Sequence, residues 1–556
     1  MWAGDGRGSG KRNAMTVAEF IASSLVARGV TDAFGMPGGV VLDLLYAFDA
    51  IDGMTPHLSY HEQSAGFSAC GYAQVSGRMG VAYATRGPGF TNLLTPMADA
   101  FYDSLPVMFL TAHAASCPPD GMRVLNDQEM DTCAIARNVT KFAARVDTVD
   151  GLVEVFNHAC NTALSARKGP VFLDISKVVL ADEIDERFDR TFKSSNGDGS
   201  DISSCVQYVA TEIQKSKRPV ILVGDGIDRL VAGTALRGFA ERAGIPFLTS
   251  RFSHDLLAGS SRYYGYVGSH GMREANFILS KSDLVVAIGN RLNFPTQSES
   301  FSSLASNTKF IRCEIDESEF LRQIPNCRDI AVDANLLIGA FNERMVSFTG
   351  FNEWLMVCDR LKMELSRLDV NDAVLKIRGF LDSVSVDTIV VSDVGNCEFW
   401  LSRASALPGV NHRTLYSKSF GALGCGLGKA IGTCYATGSP VACVIGDQGL
   451  MVNIQDLQYI AQHRLPITIV VIDNHASGMI RDVESRRFGR LLHVNSETGF
   501  SVPDWEKVFR SFGIGNFLIL DVPQDLSLTP NLPYGKAIQD MSPSIVPEKF
   551  AHLNQL

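Results

Sequence analysis

The chain has no Cys-x-x-Cys pair, no dense run of lysine or arginine, and no uninterrupted apolar stretch of membrane-spanning length. Each absence excludes a class. The 12 cysteines are scattered singly, which suits buried reduced thiols in a cytoplasmic protein and not a zinc site or a disulfide framework. A net charge of −10 with no basic run argues against a nucleic-acid surface. Without roughly 20 consecutive apolar residues, no membrane helix is expected. Residues 1–14 are Gly-rich and lack the apolar core of a signal peptide; they read as a disordered leader, with Met15 as a candidate start. No short internal repeat is visible.

What remains is a globular protein of several domains. At 556 residues the chain exceeds one hydrophobic core, and two to four domains are expected. Strand-like and helix-like patterns alternate throughout, which predicts an α/β fold of doubly wound parallel sheets. Two polar stretches divide the pattern: 182–204, charged and then Gly/Ser-rich, and a weaker one at 346–371. Three domains follow, at 15–181, 205–345 and 372–535. A Pro-rich tail, 536–556, is expected to wrap over the surface. The first and third blocks are candidates for a shared fold.

The segment Gly446 to Asn474 carries the most chemistry. Gly446-Asp447 ends one apolar run, 441–445, and Asp473-Asn474 ends a second, 467–472, with an amphipathic stretch, 453–463, between them. The pattern predicts strand, loop, helix, strand. In open parallel sheets ligands gather at the carboxyl ends of strands, so Asp447 and Asn474 converge. A carboxylate plus an amide oxygen suits Mg2+, which keeps its other positions for phosphates and water. Chance pairs of this kind occur in many α/β proteins, and context has to decide.

That context is in the first block. Glu62 stands at a strand-to-helix junction, in Tyr60-His61-Glu62-Gln63, followed by small residues at helical spacing (Ala65, Gly66, Ala69, Ala73). Small residues there predict a close helix contact, as at a subunit interface. Taken alone, Glu62 reads as a carboxylate favoured by the helix dipole. The chain also carries Phe34-Gly35-Met36-Pro37-Gly38-Gly39, Thr85-Arg86-Gly87-Pro88-Gly89-Phe90-Thr91-Asn92, Ala98-Asp99-Ala100-Phe101-Tyr102-Asp103-Ser104-Leu105-Pro106 and Gln128-Glu129-Met130-Asp131. In order and spacing these closely resemble the pyrimidine-binding domain of the thiamine diphosphate enzymes, of the acetolactate synthase large catalytic subunit type. The resemblance covers about 15–535.

The resemblance implies three domains: pyrimidine-binding, central Rossmann-like and diphosphate-binding. It implies that Glu62 contacts the pyrimidine ring, that Asp447, Asn474 and the Ala476 carbonyl hold Mg2+, and that Gly38, Asn396, Gly421, Leu423, Gly446, Gln448, Gly449 and Met479 surround thiamine diphosphate. Leu423 takes the place of the bulky apolar residue that bends the cofactor. The central block, with Gly268-Ser269-His270-Gly271 and Gly289-Asn290-Arg291-Leu292, resembles one that binds FAD; Gly268, Gly271 and Arg291 are the residues carried over, and FAD is a candidate cofactor. Several places depart from the pattern: Asn396-Cys397 stand for a Gln-His pair and Leu292-Asn293-Phe294 for Phe-Asp-Asp. Gln448 stands for a Gly, Val483 for a Trp that selects the second keto acid, and Ala112-His113 for a Gly-Gln pair. His113 is a candidate acid/base group, with a hydrogen-bonded structural histidine as the plainer reading.

The function implied is decarboxylation of a 2-keto acid, pyruvate first, with carboligation of the two-carbon unit to a second carbonyl. The implied assembly is a homodimer or homotetramer whose sites take Glu62 from one chain and Asp447 and Asn474 from another. The alternatives are a non-ligating decarboxylase, a carboligase acting on an activated sugar ketone in cell-surface glycan synthesis, and a non-catalytic relative that binds a nucleotide or partner.

Overall fold

The computed structural model describes residues 14–114, 122–123, 127–185, 202–293, 304 and 306–556. The expected leader, up to residue 13, and most of the expected first linker, 186–201, lie outside them. Strands β1 (Ala14–Thr16), β2 (Asp32–Gly35), β3 (Thr55–Leu58), β4 (Gly80–Ala84), β5 (Val107–His113), β6 (Phe142–Val146), β7 (Val171–Ser176) and β8 (Glu183–Asp185) belong to the first block. Six of them form a parallel sheet in the order β3-β2-β4-β5-β7-β6, and β1 pairs antiparallel with β8. The chain winds first to one side of β2 and then to the other, so a crevice opens between the ends of β2 and β4.

The central block contributes β9 (Pro219–Val223), β10 (Phe247–Ser250), β11 (Tyr263–Val267), β12 (Leu284–Ile288), β13 (Lys309–Glu314) and β14 (Cys327–Ala331), all parallel, ordered β11-β10-β9-β12-β13-β14. That is the order of dinucleotide-binding sheets. The third block contributes β15 (Ile389–Ser392), β16 (Thr414–Leu415), β17 (Val441–Gly446), β18 (Ile467–Asp473) and β19 (Phe517–Asp521), parallel, ordered β16-β15-β17-β18-β19. Numbered from its first strand, this sheet runs 2-1-3-4-5. The first sheet shares the 2-1-3-4 part, so the two blocks do share a core topology. The interior strands β9, β12, β17 and β18 are runs of Val, Ile and Leu, buried on both faces as parallel strands between helices must be.

Several expected connectors are folded. β8 lies inside 182–204, and the helix Ile202–Lys215 begins there. The stretch 346–371 holds the helix Asn352–Leu365, whose Trp354, Leu355, Cys358 and Leu361 join the core beneath the central sheet. The tail ends in the helix Pro547–Gln555, and its Leu553, with Ile538, packs into that same core. Polar composition concealed these elements because each buries only one narrow stripe.

The chain divides into two compact units. One comprises Met1–Ser195, Ser419–Gly438 and Gln455–Leu465; the other comprises Asn196–Lys418, Ser439–Ile454 and Pro466–Leu556. The third block is thus split in sequence, with two of its helices, Gly426–Thr437 and Asp456–His463, packed into the first unit. The small-residue face of the helix Glu62–Ser76 meets Gly426–Thr437 of the same chain, not a second subunit as expected. A Cβ on Gly71 would overlap the Lys429 carbonyl, and one on Gly432 would overlap the Ser68 carbonyl. Ser68 Oγ donates to the Gly428 carbonyl at 3.0 Å across this contact, and Ser64 Oγ donates to Asp456 Oδ2 at 2.8 Å.

Candidate active site

In the first unit, the predicted residues collect at the carboxyl ends of β2, β3 and β4. Glu62 opens the helix Glu62–Ser76, with His61 as its N-cap. Its carboxylate is buried, and Oε2 accepts from Asn92 Nδ2 at 2.9 Å. Gly89 lies against the other oxygen, since a Cβ there would stand 3.3 Å from Glu62 Oε1. The carboxylate is thus aimed by a neighbour and reserved from solvent. Gly38, after β2, packs so closely on the Thr85 side chain that a Cβ would overlap it. Asn92 was quoted in the sequence pattern without a role; its position one turn into the next helix gave no hint that it reaches Glu62.

In the second unit, the mouth of the third sheet lies between β15 and β17, where its winding reverses. Asp447 is the first residue of the short helix Asp447–Val452, directly after Gly446 at the end of β17. Its side chain is buried; Oδ1 accepts the Gln448 N–H at 2.7 Å, and Oδ2 is buried with no hydrogen-bond partner. Burial, with the Asp473 carboxylate alongside, pushes the Asp447 carboxyl up to about 7, against the pull of the Gln448 and Ala476 N–H groups. Asn474, at the end of β18, and Asn396, opening the helix Asn396–Ser405, are both buried, and a Cβ on Gly478 would stand 2.8 Å from the amide nitrogen of each. Neither polar atom of the Asn396 side chain has a partner.

Gly449 lies against the Asp393 carboxylate, where a Cβ would overlap Oδ2. Gln448 is half-buried beside it. Asp393 and Asp473 were missed as site residues, although Asp473 ends a predicted strand. Among the described residues no group of three or more His, Cys, Asp and Glu could hold a metal ion. The Asp447 carboxylate and the Asn474 amide are oxygen donors of the kind that could hold Mg2+.

Leu423 sits in the turn before the helix Gly426–Thr437, between Gly421 at φ 68° and Gly424 at φ 85°. It is 37% exposed, so it is not a core leucine. Met479 is half-buried and Val483 is 41% exposed on the helix Gly478–Phe488. That helix is pinned by Asp482, which accepts from the Leu528 N–H at 3.0 Å and Ser527 Oγ at 3.1 Å. Cys397, next to Asn396, is a core residue of the third block.

His113 ends β5, buried between two carboxylates. Nε2 lies 2.9 Å from Asp147 Oδ1, and Nδ1 lies 3.3 Å from Asp174 Oδ1. Burial alone would raise Asp174, but hydrogen bonding and charge from His113, with the hydroxyls of Thr132 and Thr111, hold it below its usual value. In the central block, the turn 268–271 follows β11 and is closed by Asn276, which bonds both the N–H and the carbonyl of Gly268. Arg291 Nη1 lies 3.3 Å from Glu319 Oε1.

Comparison with known proteins accounts for this arrangement. Residues 15–133 match the thiamine pyrophosphate enzyme N-terminal TPP binding domain, 206–341 its central domain and 393–531 its C-terminal TPP binding domain. The chain is 30% identical to the acetolactate synthase isozyme 2 large subunit of Escherichia coli (strain K12), with 90% of each chain covered. The chain belongs to the thiamine pyrophosphate enzyme family. It is also 29% identical to a probable acetolactate synthase large subunit of Methanococcus aeolicus (90% of this chain, 87% of the relative) and to the acetolactate synthase large subunit of Lactococcus lactis subsp. lactis (92% and 89%). As a thiamine pyrophosphate enzyme it carries two TPP-binding domains, and these are the blocks that contain Glu62 and Asp447. No helix among the described residues is long and apolar enough to cross a membrane.

Proposed function

We propose that this chain is a thiamine diphosphate- and Mg2+-dependent carboligase, which decarboxylates a 2-keto acid such as pyruvate and joins the two-carbon unit to a second carbonyl. The observation that carries the reading is the buried, partnerless Oδ2 of Asp447 at the sheet's switch point, flanked by Asn474 and Asn396. Asp447, Asn474 and the Ala476 carbonyl would hold the metal, and Asn396 the diphosphate. The bound cofactor supplies a centre that stabilises carbanions. Glu62, fixed by Asn92, holds the cofactor's pyrimidine ring through a charge-assisted hydrogen bond, strengthened by burial. Gln448 lines the diphosphate, and Leu423 braces the cofactor from the turn 419–424. His113, with carboxylates facing both ring nitrogens, acts as a positioning group at the end of β5 and not as the acid or base.

The relatives named acetolactate synthase support ligation over simple decarboxylation and over a purely binding role. The exposed Val483 and Ile480 support an acceptor pocket wider than a Trp at 483 would leave. We read the domains as 15–181, 205–345 and 372–535, the location as cytoplasmic, and the assembly as a homodimer or homotetramer with Glu62 of one chain meeting Asp447 and Asn474 of another; sedimentation tests the last. The central strand order and the turn 268–271 support FAD, with Arg291 in reach of that sheet's mouth, and a colourless purified protein would remove it. The decisive experiment is incubation with pyruvate, thiamine diphosphate and Mg2+, with products identified by mass spectrometry. An acyloin or acetolactate is expected, and free aldehyde alone overturns ligation. Glu62→Gln is expected to lose most turnover while melting as the parent does; normal turnover in that variant would sink the role given to Glu62.

A further inference from the structure

A completely buried ammonium lies beside the turn that carries Leu423. Lys429, in the helix Gly426–Thr437, has Nζ 2.8 Å from Asp99 Oδ2 and 3.8 Å from Asp103 Oδ2, and none of the three side chains is exposed. Burial alone would lower the lysine, but the Asp99 and Asp103 carboxylates outweigh it and hold the ammonium charged. Two carboxylates thus face one ammonium in a fully buried cluster of charge. Such a cluster is tolerated only where donors converge on it. One donor is the Ser419 backbone N–H, which gives its hydrogen to Asp103 Oδ1 at 2.8 Å.

The adjacent pair repeats the attachment. The Tyr102 ring stacks on Phe420 with centroids 5.6 Å apart and planes 12° from parallel. Two consecutive residues at the end of the helix Pro88–Asp103 thus hold two consecutive residues, 419 and 420, just ahead of Gly421 and Leu423. Tyr102 and Phe420 are both nearly half exposed, so core packing does not account for their contact. The turn itself has left-handed glycines at 421 and 424 and little stiffness of its own. Its place must come from its anchors.

We propose that Asp103, beside Lys429 in the buried triad, is a positioning residue that fixes the turn 419–424 and, through it, the seat of Leu423 against thiamine diphosphate. Tyr102 is the second anchor. This rests on the reading of Leu423 as the cofactor's brace. The ion triad is therefore part of the cofactor site although it touches no ligand.

The test uses the full chain and measures the Kd for thiamine diphosphate with Mg2+ by calorimetry, beside the melting temperature without cofactor. Asp103→Asn keeps an acceptor for the Ser419 N–H and is expected to bind cofactor nearly as the parent does. Asp103→Leu removes the acceptor and is expected to raise Kd by about tenfold or more, the factor that a lost charge-assisted hydrogen bond carries. Tyr102→Ala, at a half-exposed ring, is expected to raise Kd severalfold with the cofactor-free melting temperature unchanged. Equal Kd in Asp103→Asn and Asp103→Leu overturns the proposal. So does an unaltered Kd in Tyr102→Ala, which decides the matter if Asp103→Leu fails to fold. Leu423→Ala separates the premise: if it binds cofactor as the parent does while Asp103→Leu does not, the bracing role of Leu423 is wrong and the anchoring of the turn stands.

Discussion

Replacing Gly432 by Ala sets two rules against each other. Gly432 lies inside the helix Gly426–Thr437, where Ala is intrinsically the better residue by about 1 kcal/mol. By propensity the variant should be more stable. By packing it should be less so, because the new Cβ would overlap the Ser68 carbonyl, and a carbonyl held in a helix cannot turn aside as a flexible side chain can. Relief requires the helices Glu62–Ser76 and Gly426–Thr437 to separate. The separation would stretch the bond from Ser68 Oγ to the Gly428 carbonyl, now 3.0 Å, and open the seat of Phe67, whose Cβ is 2.8 Å from where a Cβ on Gly428 would be. Overpacking costs about 1–3 kcal/mol, more where backbone must move, and a weakened buried hydrogen bond adds about 1 kcal/mol. Net of propensity, a loss of about 1–3 kcal/mol is expected, with Gly71→Ala behaving alike through the Lys429 carbonyl. Urea unfolding monitored by circular dichroism measures it. A Gly432→Ala protein as stable as the parent, or more stable, would refute the packing argument.

Three further outcomes follow from single sites. Burial pushes Asp456 up to about 7, with the Ser64 hydroxyl pulling weakly the other way, so the native state keeps a proton that the unfolded chain releases near pH 4. Stability then falls as pH rises from about 4 to about 7, and Asp456→Asn should gain on the parent by on the order of 2 kcal/mol between pH 5 and pH 8; an equal difference at both pH values counts against this. Arg273 is buried, bonds Asp369 through two nitrogens at 2.7 and 3.0 Å, and donates to the carbonyls of Met541 and Pro543. Arg273→Met should cost about 3–5 kcal/mol by leaving Asp369 unpaired, and should free the tail for limited proteolysis. Val483→Trp, at an exposed position, should leave melting unchanged but lower kcat/KM for bulky acceptors about tenfold relative to small ones, and an unchanged acceptor ratio would remove Val483 from the pocket.

The parts of the site that lie where a strand ends were legible in the sequence. Asp447 and Asn474 each close an apolar run and Glu62 stands at a strand-to-helix junction, and the parallel sheets bring such positions to their carboxyl edges. What could not be read was anything decided by side-chain reach. Asn92 finds Glu62 across a turn, and Asp393 finds Gly449 across two strands. No spacing announces either contact. The close helix packing was visible as a run of small residues, but its partner was not, because a face of Ala and Gly fits any backbone that comes near. The folded segments within 346–371 and 536–556 were hidden for a different reason. The burial of their apolar residues, such as Trp354 and Leu553, depends on a sheet formed elsewhere in the chain.

The contact between the helices Glu62–Ser76 and Gly426–Thr437 has a further meaning. Each helix follows the second strand, in chain order, of a sheet wound 2-1-3-4: the first after β3, the second after β16. They are the same piece of the same topology. Their contact is also reciprocal, since Gly71 of one rests on the backbone of the other, and Gly432 of the other rests on the backbone of the first. That is the geometry of a two-fold self-association, written into one polypeptide. One copy of the topology carries Glu62 and the other carries Asp447.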